Sequence, residues 1–303
     1  VPAISSIVRK MTTVAEKIVV MTPCYNIFFN SIVNNGRNVL ESRLHYEDGA
    51  YRIDYEDLEE KLADPQTSML ILCNPHNPVG KIWDRETLER IGELCFMHHV
   101  LVLSDEIHCD ITRPGTEYIP FASVSEHCRN NSITCVAPTK TFNLAGIQTA
   151  AVIVPDAALR HRVNRGLNTD EVAEPNVFAA IAPIAAFTQG GAWLDELREY
   201  LWENRKAAED FIREEIPELR TVSADATYLL WIDCNALPGD LSELAEFIRK
   251  ESGLYVCDGR EYGNGYGFLR MNLACRRELL KEGLERLKRS IHSYREGISN
   301  GII

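Results

Sequence analysis

The sequence predicts an α/β fold in which helices cover both faces of a mostly parallel sheet, followed by a smaller α+β domain. Three runs of apolar residues are nearly continuous, which is typical of strands buried on both faces, namely Met69–Cys73, Val100–Leu103 and Ile133–Val136. The apolar residues of Arg85–His99 recur at helical spacing between the first two runs, as in the crossover helix of a βαβ unit. This order of segments predicts parallel strands joined by helices.

Two domains are predicted from the point where this alternation stops. Strand-like and helix-like patterns alternate from Val1 to about Gln189, so we assign residues 1–190 to a large domain. The pair Gly190–Gly191 marks the boundary, because glycine weakens a helix. Residues 191–303 form the small domain, whose predicted elements are the helices Trp193–Glu215, Ser242–Ser252 and Arg276–Tyr294 and the strands Thr227–Asp233 and Phe268–Asn272.

Composition narrows the class of protein. With 303 residues, 45% of them hydrophobic, the chain can bury a large core. The 32 basic and 44 acidic residues give a net charge of −12, and no long basic run interrupts this balance. Nucleic acid and anionic membrane surfaces are therefore unexpected partners. No stretch approaches the roughly 18 consecutive apolar residues of a membrane span, so we expect a soluble protein.

The nine cysteines are scattered singly along the chain, without a CxxC pair and in an odd total. This usage fits a reducing cytosol, so a cytoplasmic location is expected. Most of the cysteines lie in apolar surroundings, where packing in the core is the ordinary role. We therefore predict no metal site.

Polar residues able to do chemistry follow each of the three apolar runs. The first run leads into Asn74–Gly80 (NPHNPVG), the second into Asp105 and the third into Lys140. In open α/β sheets, ligands bind beyond the carboxyl ends of the parallel strands. We therefore expect these groups at one shared site.

Lys140 and Asp105 fit the chemistry of a cofactor that reacts with amines. A lysine can form a Schiff base with pyridoxal phosphate, and a buried amine just past a β-branched run is suited to this role. The ring nitrogen of that cofactor stays protonated when a carboxylate is paired with it in a dry site, a role open to Asp105. The alternative is that Asp105 caps a helix and that Lys140 is a solvated loop residue.

Three further residues are candidates for contacts with the same ligand. His108 lies three positions after Asp105, so a turn of helix would point both side chains at the ligand, although a structural role is the alternative. The amide of Asn77 can hydrogen-bond a phenolic oxygen, or it can serve a turn. Tyr25 follows the strand-like run Ile18–Met21 and can stack on a planar ring, or it can belong to the core.

The glycine-containing stretch Asp258–Gly267 is predicted to be a long flexible loop that leads directly into Arg270. A cation delivered by a loop into a strand favours a ligand-binding interpretation. An arginine that faces solvent on an edge strand would show the same pattern. Both interpretations of Arg270 stay open at this point.

Five motifs occur in order along nearly the whole chain: TPCY, NPHNPVG, SDEIH, PTKTFNLAG and GFLRMNLA. Together they resemble the fold-type I pyridoxal-phosphate enzymes of the class I and II aminotransferase family, in particular their cystathionine β-lyase branch. NPHNPVG followed by KIW, His108 where many aminotransferases carry tyrosine, and KTFNLAG favour this branch. The resemblance implies a pyridoxal-phosphate-dependent transferase-like large domain.

The resemblance also implies roles for individual residues. Lys140 would form the Schiff base, and Asp105 would pair with the pyridine nitrogen. The other implied cofactor contacts are Asn77 and His108 near the phenolic oxygen, Tyr25 stacked on the ring and Thr139 near the phosphate. Arg270 would bind the substrate α-carboxylate through a bidentate pair.

The implied activity is that of a carbon–sulfur β-lyase, which cleaves cystathionine or related cysteine S-conjugates to a thiol, pyruvate and ammonia. One alternative is an aminotransferase that acts on an L-amino acid and a 2-oxo acid. Another is a regulatory or catalytically impaired protein that keeps the fold. The family also implies a homodimer whose active sites are shared between the subunits.

Two departures from the family pattern bear on these expectations. Many aminotransferases carry an arginine after the glycine that follows the lysine, where this chain has Ile147, and the lyase branch commonly lacks that arginine too. Family members also have an N-terminal segment before the position of Val1, which includes backbone amides of a phosphate-binding turn. We expect this segment to be missing and cofactor binding to be weaker for that reason, because oriented N–H groups bind phosphate.

Overall fold

The computed structural model describes residues 1–300 and arranges their strands in two main sheets and a hairpin. The strands, numbered in chain order, are β1 (Lys17–Thr22), β2 (Asn38–Arg43), β3 (His45–Glu47), β4 (Ala50–Arg52), β5 (Thr67–Cys73), β6 (Leu101–Asp105), β7 (Ser132–Val136), β8 (Ala151–Ile153), β9 (Arg220–Thr221), β10 (Leu229–Asp233), β11 (Cys257–Asp258) and β12 (Phe268–Asn272). The α-helices are α1 (Pro2–Met11), α2 (Ile27–Val33), α3 (Tyr55–Leu62), α4 (Arg85–Met97), α5 (Glu126–Asn130), α6 (Pro138–Thr141), α7 (Ala157–Thr169), α8 (Phe178–Gln189), α9 (Gly191–Glu215), α10 (Leu244–Ser252) and α11 (Arg277–Ser299).

The larger sheet has six strands in the order β2–β1–β5–β6–β7–β8. All neighbours are parallel except β7 and β8, which run antiparallel. Leu70 and Ile71 of β5 point to opposite faces and belong to two separate buried clusters. Helices thus cover both faces, and the prediction of a mostly parallel, doubly covered sheet is confirmed.

Two of the helices on this sheet, α4 and α7, begin at an aspartate that caps them. The side chain of Asp84 accepts a hydrogen bond from the backbone N–H of Thr87 at 2.8 Å at the start of α4. Asp156 accepts one from Leu159 at 2.6 Å at the start of α7. These caps satisfy N–H groups that have no partner within the helix. The predicted crossover helix is confirmed, although it ends at Met97 rather than at His99.

The smaller sheet is antiparallel, in the order β11–β12–β10–β9, and packs with α9, α10 and α11. The predicted strand Phe268–Asn272 is confirmed as β12, which lies between β10 and β11. The interpretation of Arg270 as a solvent-facing residue on an edge strand is therefore wrong. Helix α11 continues past the predicted end at Tyr294 to Ser299, where Ile298 still packs against the core of the small sheet.

One apolar core joins the two sheets. Trp231 of β10 belongs to the same buried cluster as Val19 and Tyr51 of the larger unit. Its indole N–H donates a hydrogen bond to the hydroxyl of Tyr51 at 3.1 Å. Trp231 also stacks on Phe268, with ring centres 5.2 Å apart and planes at 6°. Aromatic contacts of this kind stabilise packing beyond the area they bury, so they hold the small sheet in position against the large one.

The segment Asp258–Gly267 differs from the flexible loop that we predicted. It contains a short 3-10 turn, Gly259–Tyr262, and the carbonyl oxygen of Tyr262 accepts a hydrogen bond from the N–H of Cys24 at 2.8 Å. A Cβ atom on Gly259 would collide with the carbonyl oxygen of Gly265. The glycines therefore allow close packing of this segment rather than mobility.

No helix among residues 1–300 is both long and apolar enough to cross a membrane. Each of the nine cysteines carries a thiol without a disulfide partner, and six of the nine are buried. Their apolar surroundings agree with the packing role predicted for most of them.

Candidate active site

The carboxyl ends of β5, β6 and β7 meet at a cavity of about 390 Å³. A volume in this range suits a small cofactor or ligand. All seven residues singled out in the sequence line this cavity: Tyr25, Asn77, Asp105, His108, Thr139, Lys140 and Arg270. Arg270 comes from β12 of the small sheet, and the other six come from the large unit. The cavity therefore lies where the two units meet.

Asp105 is the last residue of β6 and forms part of the cavity floor. In the sheet it lies between Cys73 and Cys135, which line the cavity as well. Its Oδ1 accepts a hydrogen bond from the backbone N–H of Ile107 at 3.3 Å, so it does not serve as the cap of an α-helix. Burial raises the pKa of Asp105 to about 6, against the opposing charge of Lys140. A carboxylate in this position favours a ligand that carries a positive charge.

His108 lies in the turn that follows β6, close enough to Asp105 in sequence for both side chains to reach the cavity. Its Nδ1 is buried without a hydrogen-bond partner in the described structure. The ring packs edge-on against Tyr228, with centres 6.0 Å apart. Burial, together with the charges of Lys140 and Arg270, lowers the pKa of His108 to about 3. His108 is therefore a neutral hydrogen-bonding group.

Lys140 lies in α6, a single helical turn directly after β7, with Thr139 beside it on the cavity wall. The structure corrects our expectation of a buried amine, since Lys140 is exposed. The physical reason is that α6 lies at the cavity mouth, where the following residues Asn143 and Gly146 are exposed too. The hydroxyl of the next residue, Thr141, donates a hydrogen bond to Asp110 at 2.9 Å and holds α6 in place.

Tyr25 is half-buried at the cavity wall, whereas its neighbour Phe28 is buried in the core. The two rings meet edge to face, with centres 5.6 Å apart and planes at 86°. Phe28 therefore supplies the core packing, and Tyr25 keeps part of its ring available to a ligand.

Arg270 reaches the cavity from the small sheet. Its Nη1 donates a hydrogen bond to Oδ1 of Asn77 at 3.1 Å. Asn77 is buried in the NPHNPVG segment, so this bond joins that segment to the small sheet. A half-buried guanidinium at the cavity edge can bind a carboxylate through two parallel hydrogen bonds.

The cavity residues that sequence reasoning missed include Ile107, Tyr228 and Asn272. Leu229 pairs with Asn272 across β10 and β12, which puts Tyr228 at the same end of the small sheet. The sequence did indicate the two strands that contain Tyr228 and Asn272, since Thr227–Asp233 and Phe268–Asn272 were both predicted. Their pairing alone, however, does not say which end of the small sheet faces the large one.

These side chains fit pyridoxal phosphate. The buried carboxylate of Asp105 matches a protonated pyridine nitrogen, and the unpartnered Nδ1 of His108 offers a hydrogen bond to a phenolic oxygen. Lys140 places a primary amine at the same cavity. These are the groups that a pyridoxal aldehyde requires from a protein.

Comparison with known proteins finds a family model, curated relatives and solved structures that agree with one another. The model of the family described as aminotransferase class I and II matches residues 3–287. Cystathionine beta-lyase PatB of Bacillus subtilis is 42% identical over 292 residues, which make up 96% of this chain and 76% of that protein. Protein MalY of Escherichia coli is 33% identical over 96% of this chain and 75% of its own length.

Among solved structures, cystalysin from Treponema denticola, which contains a pyridoxal 5'-phosphate cofactor, matches with a TM-score of 0.91. It is 32% identical to this chain, and the match covers 97% of this chain and 75% of that one. The resemblance drawn from the five motifs is confirmed by these likenesses.

Proposed function

Because this chain belongs to the class I and II aminotransferase family, we propose that it is a pyridoxal-phosphate-dependent carbon–sulfur β-lyase. Its substrates are cystathionine or related cysteine S-conjugates, and its products are a thiol, pyruvate and ammonia. The observation that carries the proposal is the convergence of Lys140, Asp105 and Arg270 on one cavity. The 42% identity to a cystathionine beta-lyase favours elimination over amino transfer.

Five side chains are assigned to the cofactor in addition to Lys140. Asp105 would hold a proton on the pyridine nitrogen, and Tyr25 would pack against the ring. The contacts assigned to the phenolic oxygen are Asn77 and His108, and the contact assigned to the phosphate is Thr139. Because His108 stays neutral, it adds no positive charge to those of Lys140 and Arg270 at the cavity.

When bound, pyridoxal phosphate supplies an electron-withdrawing ring that stabilises negative charge at the α-carbon of the substrate. The ε-amine of Lys140 acts as the general base that takes the α-proton. Arg270 binds the α-carboxylate and orients the substrate. The Cβ–S bond then breaks with its electron pair on sulfur, and protonation releases the thiol. Water hydrolyses the remaining three-carbon enamine to pyruvate and ammonia.

An aminotransferase is the second candidate, since the family model is that of the aminotransferases and the same residues serve both reactions. In that reaction Lys140 would again move the α-proton, the cofactor would carry the amino group, and a 2-oxo acid would be needed as the amino acceptor. The two activities can be distinguished in an assay without any 2-oxo acid, in which the lyase forms pyruvate and the aminotransferase does not.

We propose that the chain divides functionally into a cofactor-binding domain, residues 1–190, and a small domain, residues 191–303. The division is supported by the two sheets and by Gly190, where helix α8 ends before helix α9 begins. We also propose a cytoplasmic location, which nine cysteines without a CxxC pair support.

A homodimer is proposed on the basis of α8. Its side chains Phe178, Ile181, Ile184 and Phe187 recur every three residues and are 52–67% exposed. A run of large apolar side chains of this kind is typical of an interface, whereas single exposed apolar residues are common on any surface. A second copy of the same chain can cover the run through a two-fold interface, in which each copy contributes the same patch.

The function is tested by adding pyridoxal phosphate to the purified protein, recording its visible absorbance, and then adding L-cystathionine without a 2-oxo acid. We expect a cofactor absorbance band and pyruvate, both lost in Lys140→Ala. Lys281→Ala, at an exposed lysine of α11, is the matched control and keeps both signals. A band without pyruvate, but with amino transfer to a 2-oxo acid, identifies the aminotransferase. A band with neither reaction supports a regulatory protein and refutes both enzyme proposals.

A further inference from the structure

The guanidinium of Arg270 is oriented by neutral groups. Nη1 donates to Oδ1 of Asn77 at 3.1 Å, and Nη2 lies 3.6 Å from Sγ of Cys257. The guanidinium carbon lies 4.6 Å from the centre of the Tyr262 ring, on its face. The face of an aromatic ring attracts a cation through its quadrupole, without neutralising its charge. A carboxylate in place of the ring would compete with an anionic ligand for the same N–H groups.

Tyr262 is itself held firmly. It is 1% exposed, and its ring meets Trp231 edge to face at 5.6 Å. Trp231 in turn stacks on Phe268 and hydrogen-bonds Tyr51. The backbone carbonyl of Tyr262 accepts the hydrogen bond from Cys24, one residue before Tyr25. The Tyr262 ring is therefore a rigid support, since Trp231 packs against the ring and Cys24 holds the backbone of the same residue.

Arg270 lines the cavity, but Tyr262 is not among the lining residues. The Tyr262 ring therefore acts on a ligand only indirectly, and the cavity residue that lies against its face is Arg270. We propose that Tyr262 is a positioning residue for substrate binding, whose ring holds the Arg270 guanidinium at the angle that receives the α-carboxylate. This inference rests on the proposed function of Arg270 as the carboxylate-binding residue.

The experiment compares S-methyl-L-cysteine with its methyl ester, which lacks the carboxylate charge. The kcat and KM for the release of methanethiol, which both compounds yield on elimination, and the shift of the cofactor absorbance on ligand addition are measured for the wild type, Tyr262→Phe and Tyr262→Leu. In Tyr262→Leu we expect the KM for the acid to rise about tenfold, with kcat changed less than about threefold. The KM for the ester should stay unchanged, and Tyr262→Phe, which keeps the ring, should resemble the wild type.

A second series guards against loss of folding in Tyr262→Leu, since the side chain is buried. Phenylalanine analogues with one, two and three ring fluorines at position 262 keep the shape of the ring and weaken its quadrupole in steps. The KM for the acid should rise with each fluorine, while the KM for the ester stays flat.

Two results would overturn the role of Tyr262: an acid-to-ester KM ratio that is the same in Tyr262→Leu and the wild type, or no trend with fluorination. The proposed function fails in a different way. A wild-type protein whose cofactor absorbance responds equally to acid and ester contradicts the assignment of Arg270. A wild-type protein that discriminates between them but releases no pyruvate contradicts only the lyase activity, and the absorbance shift then measures the acid-to-ester ratio in each variant.

Discussion

The imidazole Nε2 of His76 donates a hydrogen bond to the backbone carbonyl of Pro23 at 2.8 Å. His76 is buried and packs edge-on against Trp83, with ring centres 5.6 Å apart. It directly precedes Asn77, and Pro23 lies two residues before Tyr25. This one bond therefore joins the two loops that carry Asn77 and Tyr25 to the cavity.

The burial of His76 predicts acid sensitivity. Burial lowers its pKa to about 4, although the carbonyl of Pro23 opposes the shift. In the unfolded chain the pKa is about 6.5. Between these values only the unfolded chain takes up the proton, so stability is present above about pH 6.5 and is lost as the pH falls toward 4. The decrease in the free energy of unfolding that is attributable to His76 is at most about 3 kcal/mol.

Urea unfolding of the wild type and His76→Gln between pH 7 and pH 4.5 checks this expectation. Glutamine can still donate to Pro23 but does not titrate. We expect the stability difference between the two proteins to shift in favour of His76→Gln as the pH falls. The raised pKa of Asp105 acts in the opposite direction, but equally in both proteins, so it cancels. A difference that is independent of pH would contradict the prediction.

Asp105 and Glu106 are adjacent carboxylates with separate roles. Asp105 lines the cavity, whereas Glu106 does not; its Oε1 accepts hydrogen bonds from Ser104 at 2.9 Å and from the N–H of Phe121 at 3.0 Å. Asp105→Asn should lower pyruvate release about 100-fold without loss of stability. Glu106→Leu should keep the cofactor absorbance but lose about 3 kcal/mol of unfolding free energy, because two buried donors lose their acceptor. Equal effects of the two substitutions on either measurement would show that the roles are not separate.

Gly80 ends the NPHNPVG segment with a φ of +79°. A Cβ at this position would lie 2.7 Å from Cβ of Ala224 and 2.8 Å from the carbonyl oxygen of Ala226. Gly80→Ala should therefore lower the free energy of unfolding by about 3 kcal/mol, because the backbone is strained and the new Cβ clashes with its neighbours. Gly115 has a φ of +80° and open space around it, so Gly115→Ala reports the backbone cost alone, about 1 kcal/mol. Urea unfolding of both variants measures the difference, and equal losses would rule out the clash.

The proposed dimer interface predicts that a charge on α8 separates the subunits. Ile184→Glu places a carboxylate in the middle of the exposed apolar run, so we expect a monomer where the wild type is a dimer. Leu279→Glu is the control, since Leu279 is 55% exposed on α11, away from that run. Sedimentation equilibrium measures the mass of each protein. A wild-type monomer, or a dimer that survives Ile184→Glu, would contradict the proposal.

Much of the large unit was predictable from the sequence because the determining pattern is local. The apolar runs that became β5, β6 and β7 are each buried on both faces, and the residues that follow a parallel strand must emerge at its carboxyl end. The positions of Asp105, Asn77 and Lys140 at one cavity follow from that rule. The motif order added the chemistry expected of them.

The tertiary structure alone decided the rest. The bond between Asn77 and Arg270 joins residues 193 positions apart, and no periodicity in either segment specifies their distance. The distance between Asn77 and Arg270 depends on how Trp231 and its aromatic neighbours pack the small sheet against the large one. The same packing turned the predicted flexible loop into the ordered support that carries Tyr262. Local sequence patterns determine which residues form strands and what chemistry they bring, whereas long-range side-chain packing determines which of them meet.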